Sequence, residues 1–176
     1  MIDLILGGAR SGKSRLAEQQ ATASGMEVVY VATSQPLDDE MRERIRHHQQ
    51  RRPASWQLVE EPLALARVLR EQDGPNRCLL VDCLTLWLTN LLLHDDPQRL
   101  SLERQQLLDM LGDLSGHVIL VSNETGLGVG PMGELSRRYV DEAGWLHQEL
   151  AQRSDRVRFC VAGLPMTLKD HSATGN

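Results

Sequence analysis

"GGARSGKS", Gly7 to Ser14, is the stretch that decides the fold. It fits G-x-x-x-x-G-K-[ST] and stands between the short apolar run "DLILG" and a longer stretch of helical character. Glycines here let successive backbone N–H groups wrap a polyphosphate. Lys13 reaches the terminal phosphates, Ser14 offers a hydroxyl to Mg²⁺, and the helix N-terminus adds its positive end. The whole segment is therefore a candidate nucleotide-binding loop: Gly7, Gly8, Ala9, Arg10, Ser11, Gly12, Lys13 and Ser14.

Working outward, short β-rich runs alternate with longer helical patterns. Strands are predicted at residues 3–7, 27–33, 77–84, 117–123 and 157–163. Their near-continuous apolar character suits strands covered on both faces, as in a parallel sheet. Helices are predicted at 13–24, closed by Gly25, and at 38–50, which opens on Asp38, Asp39 and Glu40 and ends in arginines. Further helices fall at 62–72, starting at Pro62, and at 84–93, 98–114 and 133–153. This alternation implies right-handed crossovers and a doubly wound α/β fold of the P-loop NTPase type, with a mainly parallel sheet covered by helices on both faces. Residues 1–168 read as one domain, and "KDHSATGN", 169–176, as a disordered tail.

The totals agree with that fold. A chain of 176 residues buries roughly 70% of its unfolded surface, enough for one full core. Net charge is −5, which argues against a nucleic-acid partner, so phosphate recognition must come from local positive clusters. The longest apolar stretch, "CLTLWLTNLLL", is too short and too polar to span a bilayer. Met1 runs straight into "IDLILGG", without room for a charged leader, and we expect a cytoplasmic protein. Cys78, Cys83 and Cys160 match no zinc spacing and read as buried, reduced thiols.

Asp82 closes the apolar run "CLLVD". There it fits the second acidic role of a phosphate-loop site, holding Mg²⁺ or its waters together with Ser14. Two other motifs carry less. "GVGPMG", Gly128 to Gly133, matches a dinucleotide fingerprint, but "NETGLG" separates it from the strand and Pro131 stiffens it. We read it as a mobile loop over a ligand, with Asn123 and Glu124 at the strand's C-terminal end. "DEAG", Asp141 to Gly144, lies mid-helix without a guanine-reading N-K-x-D, so it is no GTPase switch.

"RIRHHQQRR", 44–52, sets His47 and His48 among four arginines. Met41, Ile45 and His48 follow i, i+4, i+7 spacing, which puts His48 on the apolar helix face and His47 about 100° away. A solvated basic helix explains the arginines. A nucleophile explains the histidine as well: neighbouring cations disfavour imidazolium and would also neutralise an α-phosphate. One Arg–phosphate pair at ~4 Å is worth on the order of 4 kcal/mol at an effective dielectric near 20.

On these residues the chain resembles the bifunctional adenosylcobinamide kinase / adenosylcobinamide-phosphate guanylyltransferase family of cobalamin biosynthesis. The matching blocks are "GGARSGKS", "VATSQPLDDEMRERIRHHQQRRPASWQLVEEP", "LLVDCLTLWLTNLL" and "VSNETGLGVGPMGELSRRYVDEAGWLHQ". The resemblance implies phosphorylation of the aminopropanol hydroxyl of adenosylcobinamide by ATP or GTP. It then implies transfer of GMP from GTP, through a guanylylated histidine that maps to His48. It further implies nucleotide contacts at Gly7 to Ser14, at Ala32, Thr33 and Ser34, at Gln49, Gln50, Arg51 and Arg52, and at Glu60 and Asp82. Gln49 and Gln50 fall where family members vary. A homo-oligomer is expected. The phosphate loop alone would also serve a simple small-molecule kinase in which His48 is structural, or a nucleotide-gated module, though the missing switch motifs argue against the latter.

Overall fold

A computed structural model of the chain describes residues 1–35 and 39–171; the side chains of Met41 and His48, like Pro36 to Asp38 and residues 172–176, lie outside the described set. The elements run β1 (Ile2–Gly7), α1 (Lys13–Ala23), β2 (Glu27–Ala32), α2 (Asp39–Arg51), β3 (Gln57–Glu60), α3 (Leu65–Gln72) and β4 (Arg77–Asp82). They continue with α4 (Leu84–Leu92), α5 (Arg99–Met110), β5 (His117–Asn123), α6 (Glu134–Arg153), β6 (Arg156–Val161) and β7 (Leu164–Asp170). Among the described residues seven strands form one sheet in the order β3-β2-β4-β5-β1-β6-β7, and only the β6–β7 pair is antiparallel.

Alternation along the strands divides the core in two. Leu4, Val29, Leu79 and Val118 face one side, where α3 to α6 cover them. Ile5, Val28, Leu80 and Ile119 face the other, where Ala17 and Ala21 of α1 pack. Strands buried on both faces leave little room for polar residues, which is why they read as continuous apolar runs. Gly25 follows α1 with φ 67°, the left-handed closure its position predicts. The helix predicted from Pro62 starts later, at Leu65. The Glu61 carboxylate accepts from the N–H groups of Leu63 and Ala64, holding the preceding turn out of the helix. The three cysteines are free and buried.

Two strands escape the sequence reading. β3 has four residues on an exposed edge, too short to show a pattern. β7 forms a hairpin with β6 through Ala162 and Gly163, both at positive φ, so the segment predicted as one strand to 163 ends at Val161 and turns back. The tail is corrected with it. Lys169 and Asp170 belong to β7, and Lys169 Nζ donates to the carbonyls of Ala151 and Gln152 at 2.9 and 3.0 Å, tying the strand to the end of α6. Among the described residues no helix is long and apolar enough to cross a membrane.

Candidate functional site

The phosphate loop spans the gap between the end of β1 and the start of α1. A Cβ on Gly7 would collide with Ser11 Oγ, and Gly12 sits at φ 93° with an added Cβ only 3.0 Å from Gly163 Cα. Both positions demand glycine, one for space and one for backbone conformation. Ser11 is held from two sides, its N–H donating to Gly8 O and its carbonyl accepting from Gly163 N–H at 2.8 Å. Lys13 Nζ reaches back to Gly8 O at 3.0 Å, lying across the mouth of the loop. Ala9 and Arg10 are exposed at its tip.

A cleft of about 410 Å³ opens beside this loop at the C-terminal ends of β2 and β4. Ser14, Ala32, Ser34 and Asp82 line its floor, while Ile45, Gln49 and Arg52 come from the α2 side. Register explains the floor: Ala32 and Asp82 are direct partners at the last rung of the β2–β4 ladder. The cleft thus joins the phosphate loop to the arginine-rich helix, two segments that the sequence keeps apart.

Tyr30 completes it, and sequence reasoning missed it. Its hydroxyl donates to Asp82 Oδ2 at 2.7 Å, and the Arg52 guanidinium stacks 3.6 Å from its ring centre. Burial, then the Asp82 charge, push the phenol pKa far up, so it stays a donor at any working pH. The only signal was a polar-tipped aromatic two residues before the end of an aliphatic strand.

Other predicted residues fall elsewhere. Thr33 is fully buried; its hydroxyl donates to Cys83 O at 2.6 Å and accepts from Cys83 N–H, fixing the backbone just after Asp82. Arg51 shares a neighbouring shallow groove with His47 and Glu43, off the main cleft, which agrees with the phase predicted for His47. Gln50 is exposed, and Glu60, opposite Ala32 at the end of β3, is exposed on the sheet edge. His48 belongs to α2, but its side chain lies outside the described residues. The "GVGPMG" stretch forms part of an exposed loop ahead of α6, and "DEAG" is helical.

A parallel sheet with a G-x-x-x-x-G-K-S loop at its C-terminal edge and an acidic residue on a nearby strand defines a P-loop nucleoside-triphosphate-binding protein. The RadB recombinase structure shares the fold, with a TM-score of 0.52 at 17% identity over 90% of this chain and 73% of that one. The chain belongs to the cobinamide kinase / cobinamide phosphate guanyltransferase family, whose profile matches residues 3–168, and it is an enzyme of that bifunctional class. It is 69% identical to the bifunctional adenosylcobalamin biosynthesis protein CobP of Pseudomonas aeruginosa over 96% of this chain and 98% of the relative. It is 39% identical to the corresponding CobU protein of Escherichia coli strain K12, over 96% and 100%.

Proposed function

We propose that the enzyme first phosphorylates the aminopropanol hydroxyl of adenosylcobinamide with ATP or GTP, and then guanylylates the product from GTP through His48. One observation carries this reading: Ser14 of the phosphate loop, Asp82, and Ile45, Gln49 and Arg52 from the α2 side share a single cleft. His48 is three residues from Ile45 and four from Arg52, both of which line it. In the first half-reaction the imidazole attacks the α-phosphorus of GTP, a P–N bond forms and pyrophosphate leaves. In the second, the phosphate of the corrinoid displaces the histidine, giving adenosylcobinamide-GDP. The test is incubation with α-labelled GTP and Mg²⁺ without corrinoid. Protein-bound GMP is expected, and its absence would leave a plain kinase.

Ser14 and Asp82 fit Mg²⁺. One hydroxyl and one carboxylate are hard oxygen donors, and that metal takes its remaining ligands from phosphate and water. When bound it supplies neutralisation of the charge on the phosphates. The Tyr30 bond orients the Asp82 carboxylate for that role. Tyr30→Phe keeps the ring under Arg52 and loses this bond, so it should raise the Mg²⁺ concentration for half-maximal turnover roughly tenfold. An unchanged metal titration would make Tyr30 a packing residue only.

Lys13→Ala removes the loop's ammonium charge without touching the core and should weaken GTP binding by about a hundredfold. Equal GTP affinity in isothermal titration, on a protein that melts normally, would overturn the loop's role. The homo-oligomer belongs to the same proposal. It is supported by Leu164, Met166 and Leu168, large apolar side chains exposed on the edge strand β7.

A further inference from the structure

The nucleotide cleft lies on the β2–β4 side of the phosphate loop. On the other side of β4, next to β1, stands the end of β5. Glu124 is the first residue after β5, and its N–H donates to Gly7 O at 2.9 Å, which anchors it to the loop itself. Its Oε1 accepts from Gly126 N–H at 2.6 Å. Its Oε2 lies 3.8 Å from Nδ1 of His147, whose Nε2 is 2.7 Å from the buried Ser122 Oγ. Burial lowers the His147 pKa, with Glu124 opposing it in part, so the imidazole is neutral near pH 7.

One residue further, Thr125 opens onto a groove of about 420 Å³ between α4 and α6. Leu92, Leu93, Pro131 and Val140 make its walls apolar, and Tyr139, which feels the Glu124 charge, also lines it. The groove is thus tied to the phosphate loop through the chain: its lining residue Thr125 directly follows Glu124, whose N–H is bonded to Gly7 O. An apolar groove that opens one residue from a carboxylate anchored to the phosphate loop suits a large amphipathic body carrying an alcohol on a flexible arm.

We infer that this groove seats one edge of the corrinoid acceptor and that Glu124 is the general base for its hydroxyl. The inference rests on the kinase reaction proposed above. The alcohol oxygen attacks the γ-phosphorus, and the new O–P bond forms as the bond from the γ-phosphorus to the β–γ bridging oxygen breaks. The nucleoside diphosphate leaves with that electron pair. The alcohol proton passes to Glu124 and from there to solvent. The side chain is 23% exposed, enough for a hydroxyl to reach it.

Glu124→Gln separates this role from a purely structural one, because glutamine keeps an acceptor for Gly126 N–H and loses only the base. The corrinoid kinase kcat should fall at least a hundredfold while KM changes less than threefold. Glu124→Asp keeps a carboxylate one methylene shorter and should recover at least a tenth of the wild-type rate. Ser136→Trp, which fills the groove from the rim, should raise the corrinoid KM at least tenfold with kcat nearly constant. A Glu124→Gln kcat within threefold of wild type, or an aspartate no better than glutamine, overturns the base. An unchanged KM in Ser136→Trp overturns the groove. Corrinoid-free GMP labelling of the wild type is read in parallel. Its absence sinks the His48 reading and leaves the kinase numbers to judge Glu124.

Discussion

His48→Ala eliminates GMP labelling, by at least about a thousandfold, while GTP affinity at the phosphate loop stays within a few-fold of wild type. The two effects separate because they sit on different elements. The proposed phosphate site lies between β1 and α1, at Lys13 and the loop's backbone N–H groups, whereas the proposed nucleophile belongs to α2. Kinase turnover on the corrinoid should survive the substitution, since no step of that reaction passes through the histidine. His47→Ala serves as the matched comparison: His47 shares its groove with Glu43 and Arg51, and its loss should cost less than tenfold. The wild-type adduct should be a phosphoramidate, cleaved in mild acid and persistent in alkali. Undiminished labelling of His48→Ala, or an acid-stable adduct, would move the nucleophile elsewhere.

Asp3→Asn should destabilise the fold by about 3 kcal/mol, the size expected when one member of a buried ionic cluster is neutralised. Asp3 is 1% exposed near the start of β1, at the opposite end of the sheet from the cleft. Arg156 Nε donates to its Oδ1 at 2.6 Å, His117 Nε2 lies 2.5 Å from Oδ2, and Gln20 of α1 donates to the same oxygen. One carboxylate thus ties the starts of β1, β5 and β6 to α1. Asparagine would leave Arg156 with a weaker acceptor in a half-closed site. Chemical denaturation measures the loss, and a change below about 1 kcal/mol would reduce the cluster to a surface-grade ion pair.

The same cluster sets part of the acid response. Burial alone would raise the Asp3 pKa, but hydrogen bonds and charge from His117 and Arg156 outweigh it and bring it below the ordinary 3.8. A depressed carboxylate contributes stability that is present above its unfolded value and lost as pH falls through the folded one, so this loss comes below about pH 4. His147 works at a higher pH. Burial, its largest cause, lowers its pKa from 6.5, so the unfolded chain takes up the proton first and stability declines as pH drops below 6.5. His147→Gln should flatten the upper slope and leave the lower one intact.

Much of the molecule was legible because its signals are contiguous. The phosphate loop is eight consecutive residues, and its strand and helix flank it directly. Gly25, the acidic start of α2 and the apolar runs of β1, β2, β4, β5 and β6 all act through neighbours within a few positions. Of the α2 face predicted from Met41, Ile45 and His48, only Ile45 has a described side chain, and it lines the cleft. β3 and β7 were lost because an exposed edge strand has no apolar run, and Lys169 was misread because its partners lie on α6.

Sequence by itself therefore determined the fold class, the family and the loop that takes phosphate, since each is written in short stretches whose chemistry needs no distant partner. Only the tertiary structure decided which polar groups meet. Tyr30 and Asp82 are 52 residues apart, and Ser122 and His147 are 25 apart; Asp3 and Arg156 are separated by 153. Strand order brings each pair together, and that order is set by how two apolar sheet faces are covered by helices. No local pattern encodes that packing solution. Glu124 shows the difference most plainly: in the chain it is a glutamate after a strand, and in the fold its backbone is bonded to the phosphate loop.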